Sequence, residues 1–256
     1  MSALSYLQET VTAIQIADWE RISIDTSINT LSTKLGNHFN NLNSKFVFGS
    51  YDRRTILRRS KDSNSDVDYM IVFNDGADYR PQTLMTRLKT FAEANYSKNE
   101  IYQSSPTIVL ELSNIKFELA PAYVSWGTFY IPAPASSYSD WISTNPGKIK
   151  TDLDSKQREN SYLIRDVVLL LKYWNVKNSK VYTSYELERY VLDHWFFFCV
   201  NLKEYFYSAV EGLLTYNLPL YKSAKVDSLK QTVLNAKRYE ADGFPYSAEL
   251  EIKKLF

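Results

Sequence analysis

Two carboxylates separated by one residue, Asp66 and Asp68, stand directly before the apolar run at residues 69–73. Side chains at i and i+2 of a strand point to the same face. Carboxylates held this close repel each other unless a cation lies between them. Mg²⁺ takes oxygen ligands and keeps substrate phosphates in its shell. The pair therefore predicts a metal site for phosphate chemistry, although an isolated Asp-x-Asp is more often a solvated turn.

A third carboxylate, Glu118, lies in the strand-like segment IKFELAPA, where Lys116 and Glu118 alternate with apolar residues and should share one face. A third ligand on a neighbouring strand would complete a two-metal site. Two ions about 3.5–4 Å apart can activate an attacking hydroxyl and stabilise a leaving pyrophosphate. We expect two Mg²⁺ ions here, with Mn²⁺ as the alternative.

A glycine and a serine, Gly49 and Ser50, follow the apolar run KFVF. Glycine lets the backbone approach a ligand closely, and the serine offers N–H and hydroxyl donors. Phosphate oxygens need such donors. The combination of strand, Gly-Ser, polar loop, Ser-Asp-Val-Asp and a second strand favours nucleotide chemistry.

The elements that must position these residues follow from hydrophobic periodicity. Three-to-four spacing predicts helices in the first 40 residues, where the second one covers residues 22–39. A shorter period of the apolar residues, together with β-branched or aromatic side chains, predicts strands at 45–48 and 68–73. The remaining predictions are a helix over 81–96, a hairpin of 108–112 and 115–119 around Ser113-Asn114, and helices at 160–175, within 182–207 and at 222–239.

Residues 130–151 are rich in Pro, Ser and Gly and are interpreted as a connector between lobes. The first half mixes strands with helices and the second is helical, which indicates an α+β protein with a cleft between two lobes. The predicted division is N-terminal helices bridging the lobes over 1–44, a catalytic core over 45–135 and a helical lobe over 136–256.

The composition of the chain argues against several classes of protein. A chain of 256 residues that is 45% hydrophobic can bury a core, and a net charge of +1 gives no global attraction to nucleic acid. One cysteine, Cys199, cannot form an intramolecular disulfide, which favours a reducing compartment. The N-terminus does not resemble a signal peptide and no apolar run could cross a bilayer. We therefore expect a cytoplasmic protein without a membrane partner.

Five stretches resemble the nucleotidyltransferases of the DNA-polymerase-β-like superfamily. Two of them, FGSY…T…SDVDYMIVF and IKFELAPA, are specific for the superfamily. Three more are similar to its cGAS/DncV-like (CD-NTase, SMODS-type) and oligoadenylate-synthase-like branch, the bacterial oligonucleotide synthetases of antiphage defence: WISTNP, LLLKYWN and TSYELE. The resemblance spans most of residues 45–190. It implies a polymerase-β-like lobe with a mixed sheet, a helical C-terminal lobe and an active site in the cleft between them.

The resemblance also implies roles for single residues. Those implied to hold Mg²⁺ are Asp66, Asp68 and Glu118, and those implied to hold the nucleotide are Gly49, Ser50, Lys172, Ser184 and Tyr185. Lys172 would reach the outer phosphates as a point charge, Ser184 would donate to them, and Tyr185 would stack on the base. The alternative for Lys172 is an ordinary exposed helix lysine, and the alternative for Tyr185 is an ordinary core aromatic. Relatives commonly have Asp where this chain has Glu118.

By this resemblance the chain is a metal-dependent, template-independent nucleotidyltransferase that joins nucleoside triphosphates, ATP among them, into a cyclic or linear oligonucleotide signal. Its expected partners are the triphosphates, an oligonucleotide product or acceptor strand, and an effector protein encoded nearby. The alternatives are a polymerase making longer linear products, including DNA, a transferase acting on a protein or tRNA, and a degenerate nucleotide-binding module. The near-neutral charge argues against a large RNA substrate.

The segment between Ser50 and Asp66 carries five basic residues: Arg53, Arg54, Arg58, Arg59 and Lys61. They would either contact an acceptor nucleotide or form a solvated loop paired with Asp52 and Asp62. Relatives often place a threonine here, as this chain places Thr55.

Overall fold

The computed structural model describes residues 2–134 and 140–256. The elements, in chain order, are α1 (Ala3–Ile14), α2 (Asp18–His38), β1 (Leu42–Phe48), the single turn α3 (Gly49–Asp52), β2 (Asp66–Phe73), a 3₁₀ turn (Gly76–Asp78), α4 (Pro81–Asn95), β3 (Glu100–Ser104), β4 (Thr107–Glu111), β5 (Lys116–Ser125), β6 (Thr128–Pro132), β7 (Trp141–Thr144), α5 (Pro146–Glu159), α6 (Ile164–Lys177), α7 (Ser184–Asp193), α8 (Leu202–Glu211), α9 (Leu220–Ala241) and α10 (Pro245–Lys253).

Contacts between residues divide the chain into two compact units. The sheet unit comprises Ile16–Arg59 and Ser63–Lys150, and the helical unit comprises Met1–Gln15, Ser60–Asp62 and Thr151–Phe256. A half built on a sheet and a half built of helices confirm the α+β prediction. The predicted domain boundary after residue 44 stays a prediction, and the one after residue 135 lies outside the described residues.

The sheet of the sheet unit is mixed, as predicted. Its strand order is β1-β2-β5-β4-β3, and β6 and β7 extend from β5. Only β2 and β5 are parallel among the pairs formed by the described strands. Strand β2 is hydrogen-bonded to β1 on one side and to β5 on the other, so two neighbours fix its register.

Helices α2 and α4 cover one face of this sheet. Tyr69 and Ile71 of β2 are buried there in one apolar cluster with Leu31 and Leu35 of α2 and Leu88 of α4. The amphipathic stripe of each helix supplies these contacts. The periodicity thus predicted both helices correctly, although α2 begins at Asp18 rather than near residue 22. Its start is set by the Glu20 carboxylate, which accepts a hydrogen bond from the Ala17 N–H at 3.0 Å.

The opposite face of β2 carries a smaller cluster. Met70 and Val72 are buried against Ala122 of β5, with Phe46 and Phe129 packed beside them. Strand residues alternate between faces, so Asp66 and Asp68, which lie four and two residues before Met70, share this face. The face opposite the helices is therefore apolar at one end and, at Asp66 and Asp68, acidic at the other.

The predicted hairpin is confirmed, and two neighbouring segments have more regular structure than predicted. Strands β4 and β5 pair antiparallel with Leu110 opposite Phe117, and β5 continues to Ser125. The interpretation of residues 130–151 as a connector between lobes stays a prediction, but the described part of the segment has regular secondary structure that the composition did not indicate. Trp141–Thr144 pairs with β6 and α5 starts at Pro146. Proline is disfavoured within sheets, and β7, with the sequence WIST, contains none.

The helical unit is built around α6. Every residue of α6 from Val167 to Asn175 is buried, because α1, α7 and α8 pack around it. A helix buried on all sides needs apolar residues all round, which explains the run VVLLL. Strand β3 and helix α10 were not anticipated from the sequence. Among the described residues, no helix combines the length and the apolar character that crossing a membrane requires.

Candidate active site

The parallel pairing of β2 with β5 brings the three predicted metal ligands onto one face of the sheet. In the register, Asp68 lies opposite Glu118 and Asp66 lies opposite Lys116. Val67, between the two aspartates, is fully buried on the helix-covered face. The carboxylates therefore face the other way and stay partly exposed. Three carboxylates from two adjacent strands thus converge, as the spacing predicts.

Gly49 lies directly against Asp68. Its backbone is left-handed, with φ of 73°. A Cβ atom on Gly49 would lie 2.5 Å from Cγ and 2.9 Å from Cβ of Asp68, and closer still to Oδ2. The approach arises because Phe48 is the register partner of Asp68, so the chain turns immediately beside the carboxylate. Only glycine satisfies both the conformation and the space.

Ser50 occupies the first turn of α3, and Thr55 holds that turn in place. The Thr55 N–H donates to the Ser50 carbonyl at 2.9 Å, and its hydroxyl approaches the same oxygen at 3.4 Å. Thr55 is fully buried. The threonine that follows the Gly-Ser pair therefore has a structural role, which is to fix the backbone that the Gly-Ser pair presents.

Lys116 lies between two of the carboxylates. Its Nζ is 3.4 Å from Asp66 Oδ2 and 3.6 Å from Glu118 Oε1, and its side chain is only 13% exposed. Burial, and then the charge of Glu118, raise the pKa of Asp66 to about 6 against the opposing effect of Lys116. Burial lowers the pKa of Lys116, but the charges of Asp66 and Glu118 outweigh it and raise the pKa. Lys116 therefore stays charged beside the two carboxylates.

Thr107, which no motif in the sequence indicated, has its hydroxyl 2.9 Å from the Ser104 carbonyl, to which it donates, and 3.3 Å from Glu118 Oε2. It sits at the first position of β4, and Val109 two residues on is the register partner of Glu118. The predicted hairpin could have indicated this proximity, because Thr107 and Glu118 are diagonal neighbours on one face and side chains at such positions can reach each other. Thr107 therefore lies within reach of one carboxylate oxygen of Glu118.

The donor set fits a hard divalent cation. Three carboxylates supply the oxygen ligands that Mg²⁺ prefers, and Glu118 lies close enough to Asp66 for its charge to add to the effect of burial on the Asp66 pKa. Within residues 2–134 and 140–256, no group of three or more His, Cys, Asp or Glu side chains is already arranged around a common metal position. The ammonium of Lys116 stands between two of the three ligands instead.

Two arginines of the basic segment already have acidic partners inside the sheet unit. Arg58 donates to Glu20 at 2.9 Å, and Arg59 donates to Glu111 and to the Leu112 carbonyl. The guanidinium groups therefore brace the segment against α2 and the β4–β5 hairpin. This pairing weakens the interpretation of the segment as a contact for an acceptor nucleotide.

The acidic residues of the same segment pair with lysines. Asp52 accepts from Lys150 at 2.5 Å in the sheet unit, and Asp62 lies 3.6 Å from Lys180 in the helical unit. The arginine Arg54 is exposed, with a left-handed φ of 59°. Of the five basic residues, Arg54 is the one whose exposure suits contact with a ligand.

Lys172, predicted to reach the outer phosphates, is buried in the helical unit. Its side chain is 4% exposed, and its ammonium lies 2.5 Å from Glu188, which is 1% exposed. The pair joins α6 to α7. Phosphate binding by Lys172 stays a prediction, and it requires the ammonium to turn from Glu188 toward a ligand.

Ser184 and Tyr185 form the first turn of α7, which Lys172 anchors through Glu188. Thr183 caps this helix through a reciprocal pair of hydrogen bonds with Glu186, at 2.7 and 3.1 Å. Both predicted ligand residues are exposed, and the Tyr185 side chain is 56% accessible. The core-aromatic alternative for Tyr185 is therefore wrong.

The fold places the chain in a class. A mixed sheet that carries the carboxylates, joined in one chain to a helical unit, is an α+β nucleotidyltransferase fold of the polymerase-β-like kind. Residues 1–157 match the model of the Second Messenger Oligonucleotide or Dinucleotide Synthetase domain, abbreviated SMODS. The chain belongs to that family, which confirms the resemblance seen in the sequence.

A curated relative agrees with the family. The chain is 26% identical over 188 residues to a probable cyclic nucleotide synthase, IK1_05630, of Bacillus cereus strain VD146. The match covers 58% of this chain and 54% of the relative. The chain therefore spans about half the length of the curated relative that it matches.

Solved structures share the fold at low identity. CdnC of E. coli MS115-1, in a complex with HORMA-deltaN, matches with a TM-score of 0.70 at 14% identity, over 99% of this chain and 95% of that one. CdnG of Bradyrhizobium diazoefficiens, in complex with GTP, matches with a TM-score of 0.72 at 11% identity, over 99% and 98%. DncV of Vibrio cholerae, a cyclic AMP-GMP synthase, matches with a TM-score of 0.61 at 11% identity, over 80% and 68%.

Proposed function

We propose that this chain is a metal-dependent, template-independent nucleotidyltransferase that joins nucleoside triphosphates into a short cyclic or linear oligonucleotide signal and releases pyrophosphate. The observation that carries the proposal is the β2–β5 register, which puts Asp66, Asp68 and Glu118 on one face beside the left-handed turn at Gly49. Family membership supports the product class, because the family is named for second-messenger synthesis.

In this proposal, residues of the sheet unit bind the metal ions and the triphosphate. Asp66, Asp68 and Glu118 would hold two Mg²⁺ ions, or Mn²⁺ in their place, and the bound ions supply charge neutralisation for phosphoryl transfer. Gly49 and Ser50 present backbone N–H groups to the triphosphate at a turn that Thr55 fixes. Because this turn is held before a ligand arrives, binding does not have to order it.

In this proposal the family resemblance assigns three residues of the helical unit to nucleotide binding, two of them in the exposed first turn of α7. Ser184 donates to the outer phosphates, Tyr185 stacks on the base, and Lys172 supplies a positive charge next to them. A hydroxyl of the acceptor nucleotide forms a bond to the α-phosphorus of the incoming triphosphate, whose bond to the pyrophosphate oxygen breaks. The chain's own contribution is positioning and charge stabilisation.

Relatives support triphosphates as substrates and signalling as the role. The structures of CdnG and of CdnE from Elizabethkingia meningoseptica, similar to this chain in fold, were solved with GTP. We propose ATP and other nucleoside triphosphates as substrates, an effector protein as the receiver of the product, and antiphage defence in the cytoplasm as the setting. The alternative of a longer linear polymer loses support, because Arg58 and Arg59 are already paired with carboxylates.

The proposed role of the carboxylates is tested by replacing aspartate with asparagine, which removes the negative charge and keeps nearly the same side-chain shape. The double variant Asp66→Asn, Asp68→Asn should release pyrophosphate from a mixture of nucleoside triphosphates at least about a hundredfold more slowly than the wild type, because the charge-stabilising centre is gone. A matched control, Asp78→Asn with Glu93→Gln, removes two charges at exposed positions of the same unit. It should keep wild-type turnover. Equal rates for the wild type and the Asp66/Asp68 variant would contradict the proposal.

A further inference from the structure

The proposed reaction leaves one buried cation of the site without a role, which is Lys116. It follows the hairpin loop as the first residue of β5, and the register sets it opposite Asp66, while Glu118 lies two residues further on the same face. Both carboxylates lie within 3.6 Å of its Nζ. The ammonium therefore bridges two of the three ligands proposed for the metal ions.

This arrangement differs from an ordinary surface ion pair. The Lys116 side chain is 13% exposed, and those of Asp66 and Glu118 are 27% and 25% exposed. Partly buried charges are screened much less by solvent than exposed ones, so the bridge contributes more than a surface pair does. Asp66 and Glu118 would otherwise repel each other on adjacent strands, at the diagonal of the β2–β5 pairing.

We propose that Lys116 is an internal counter-cation that holds Asp66 and Glu118 in place before a metal ion binds, and that a divalent cation must displace its ammonium to use both carboxylates. This inference rests on the proposed function, since it concerns the same three ligands. Its consequence is regulatory, because the lysine weakens metal binding by the protein alone and so favours metal that arrives with the triphosphate.

The chemistry of lysine suits this task. Its charge is compact and sits on a flexible four-carbon stem, so the ammonium can retract while the backbone of β5 stays paired. An arginine would hold a carboxylate in a fixed fork and release it less readily. A divalent ion and an ammonium cannot share the same pair of oxygens at close range, because like charges repel strongly at such separations when solvent screens them little.

The test measures metal binding to the nucleotide-free protein. Mn²⁺ and Mg²⁺ are titrated by calorimetry into the wild type, Lys116→Met, Lys116→Arg and the control Lys203→Met, whose lysine pairs with Glu240 at 2.9 Å in the helical unit. Lys116→Met should bind the ions about tenfold more tightly or better, since the competing charge is gone. Lys116→Arg and Lys203→Met should not gain affinity. Unchanged affinity in Lys116→Met would overturn the inference.

A second measurement uses the wild-type protein and does not depend on a variant that folds. Lysine ammonium groups are labelled with ¹⁵N, and the Lys116 signal is assigned by its loss in Lys116→Arg. Saturating Mg²⁺ should move that signal toward those of exposed lysines and leave the Lys203 signal in place. A Lys116 signal that does not respond, while calorimetry shows Mg²⁺ bound, refutes the displacement.

The failure of this inference is distinguishable from that of the proposed function. If Asp66→Asn abolishes Mn²⁺ binding while Lys116→Met leaves it unchanged, the metal site stands and the role of Lys116 is wrong. If neither the wild type nor Lys116→Met binds a divalent cation, with or without ATP, both proposals are wrong.

Discussion

Replacing Gly49 with alanine perturbs one backbone turn and one carboxylate together. An alanine at φ of 73° costs about 1–2 kcal/mol relative to its preferred conformations. Its Cβ would also lie 2.5 Å from Cγ and 2.9 Å from Cβ of Asp68, so β1 and β2 must move apart or Asp68 must turn away. Overpacking of this kind costs about 1–3 kcal/mol. We expect Gly49→Ala to lose about 2–5 kcal/mol of unfolding free energy.

The chain offers a matched control for this substitution. Gly127 has nearly the same conformation, with φ of 76°, but nothing lies within 4 Å of the position that its Cβ would take. Gly127→Ala therefore reports the backbone strain without the overlap. Urea denaturation gives the two losses of unfolding free energy, and their difference gives the overlap with Asp68. Pyrophosphate release should drop at least about tenfold in Gly49→Ala and stay at the wild-type level in Gly127→Ala.

A specific outcome would refute this reasoning. If the two alanine variants lose the same stability and both keep full turnover, then Asp68 does not lie over Gly49 and the turn does not shape the site. The combination of Gly49→Ala with Asp68→Gly should recover part of the stability, because it removes the atoms that overlap, and it should not recover turnover.

Two further predictions concern the helical unit. Lys172→Met should cost about 3–5 kcal/mol of unfolding free energy because it leaves the buried Glu188 without its lysine, and adding Glu188→Leu should restore most of that loss. The control Lys237→Met, at an exposed ion pair, should cost under about 1 kcal/mol. Equal losses for Lys172→Met and Lys237→Met in urea denaturation would contradict the buried pair. Burial raises the pKa of Asp166 to about 6, so its contribution to stability is present below its unfolded-state pKa and is lost as pH rises through about 6. Asp166→Asn should therefore become more stable relative to the wild type as the pH is raised from below to above that value, unlike Asp78→Asn at an exposed site, and parallel pH profiles for Asp166→Asn and the wild type would disprove this.

Strand recognition was sufficient to predict part of the grouping of the three carboxylates. Period-two alternation fixes which face a residue takes once its strand is recognised, so it puts Asp66 and Asp68 on one face of β2, whereas the position of Glu118 beside them also depends on the pairing of β2 with β5. The cation between two of them could not be placed in this way. Lys116 and Glu118 were predicted to share a face, but the bridge to Asp66 depends on parallel register between β2 and β5, which residue spacing does not reveal.

Other features could not be predicted from the sequence because contacts between distant parts of the chain determine them. Residues 141–144 form a strand through pairing with β6, although composition suggests a loop. The burial of Lys172 depends on Glu188, one helix away, and no helical pattern distinguishes a buried lysine from an exposed one. Thr55 follows the Gly-Ser pair in sequence, but its hydrogen bond to the Ser50 carbonyl requires the chain to fold back on itself.

The most direct test of the central claim is to identify the product. The purified protein is incubated with all ribo- and deoxynucleoside triphosphates and Mg²⁺ or Mn²⁺, in parallel with the Asp66→Asn, Asp68→Asn variant, and the products are identified by mass spectrometry. A short cyclic or linear oligonucleotide, formed with stoichiometric pyrophosphate and absent from the variant, is the predicted result. A long ladder of products, or no product under any metal and nucleotide condition, would contradict the account.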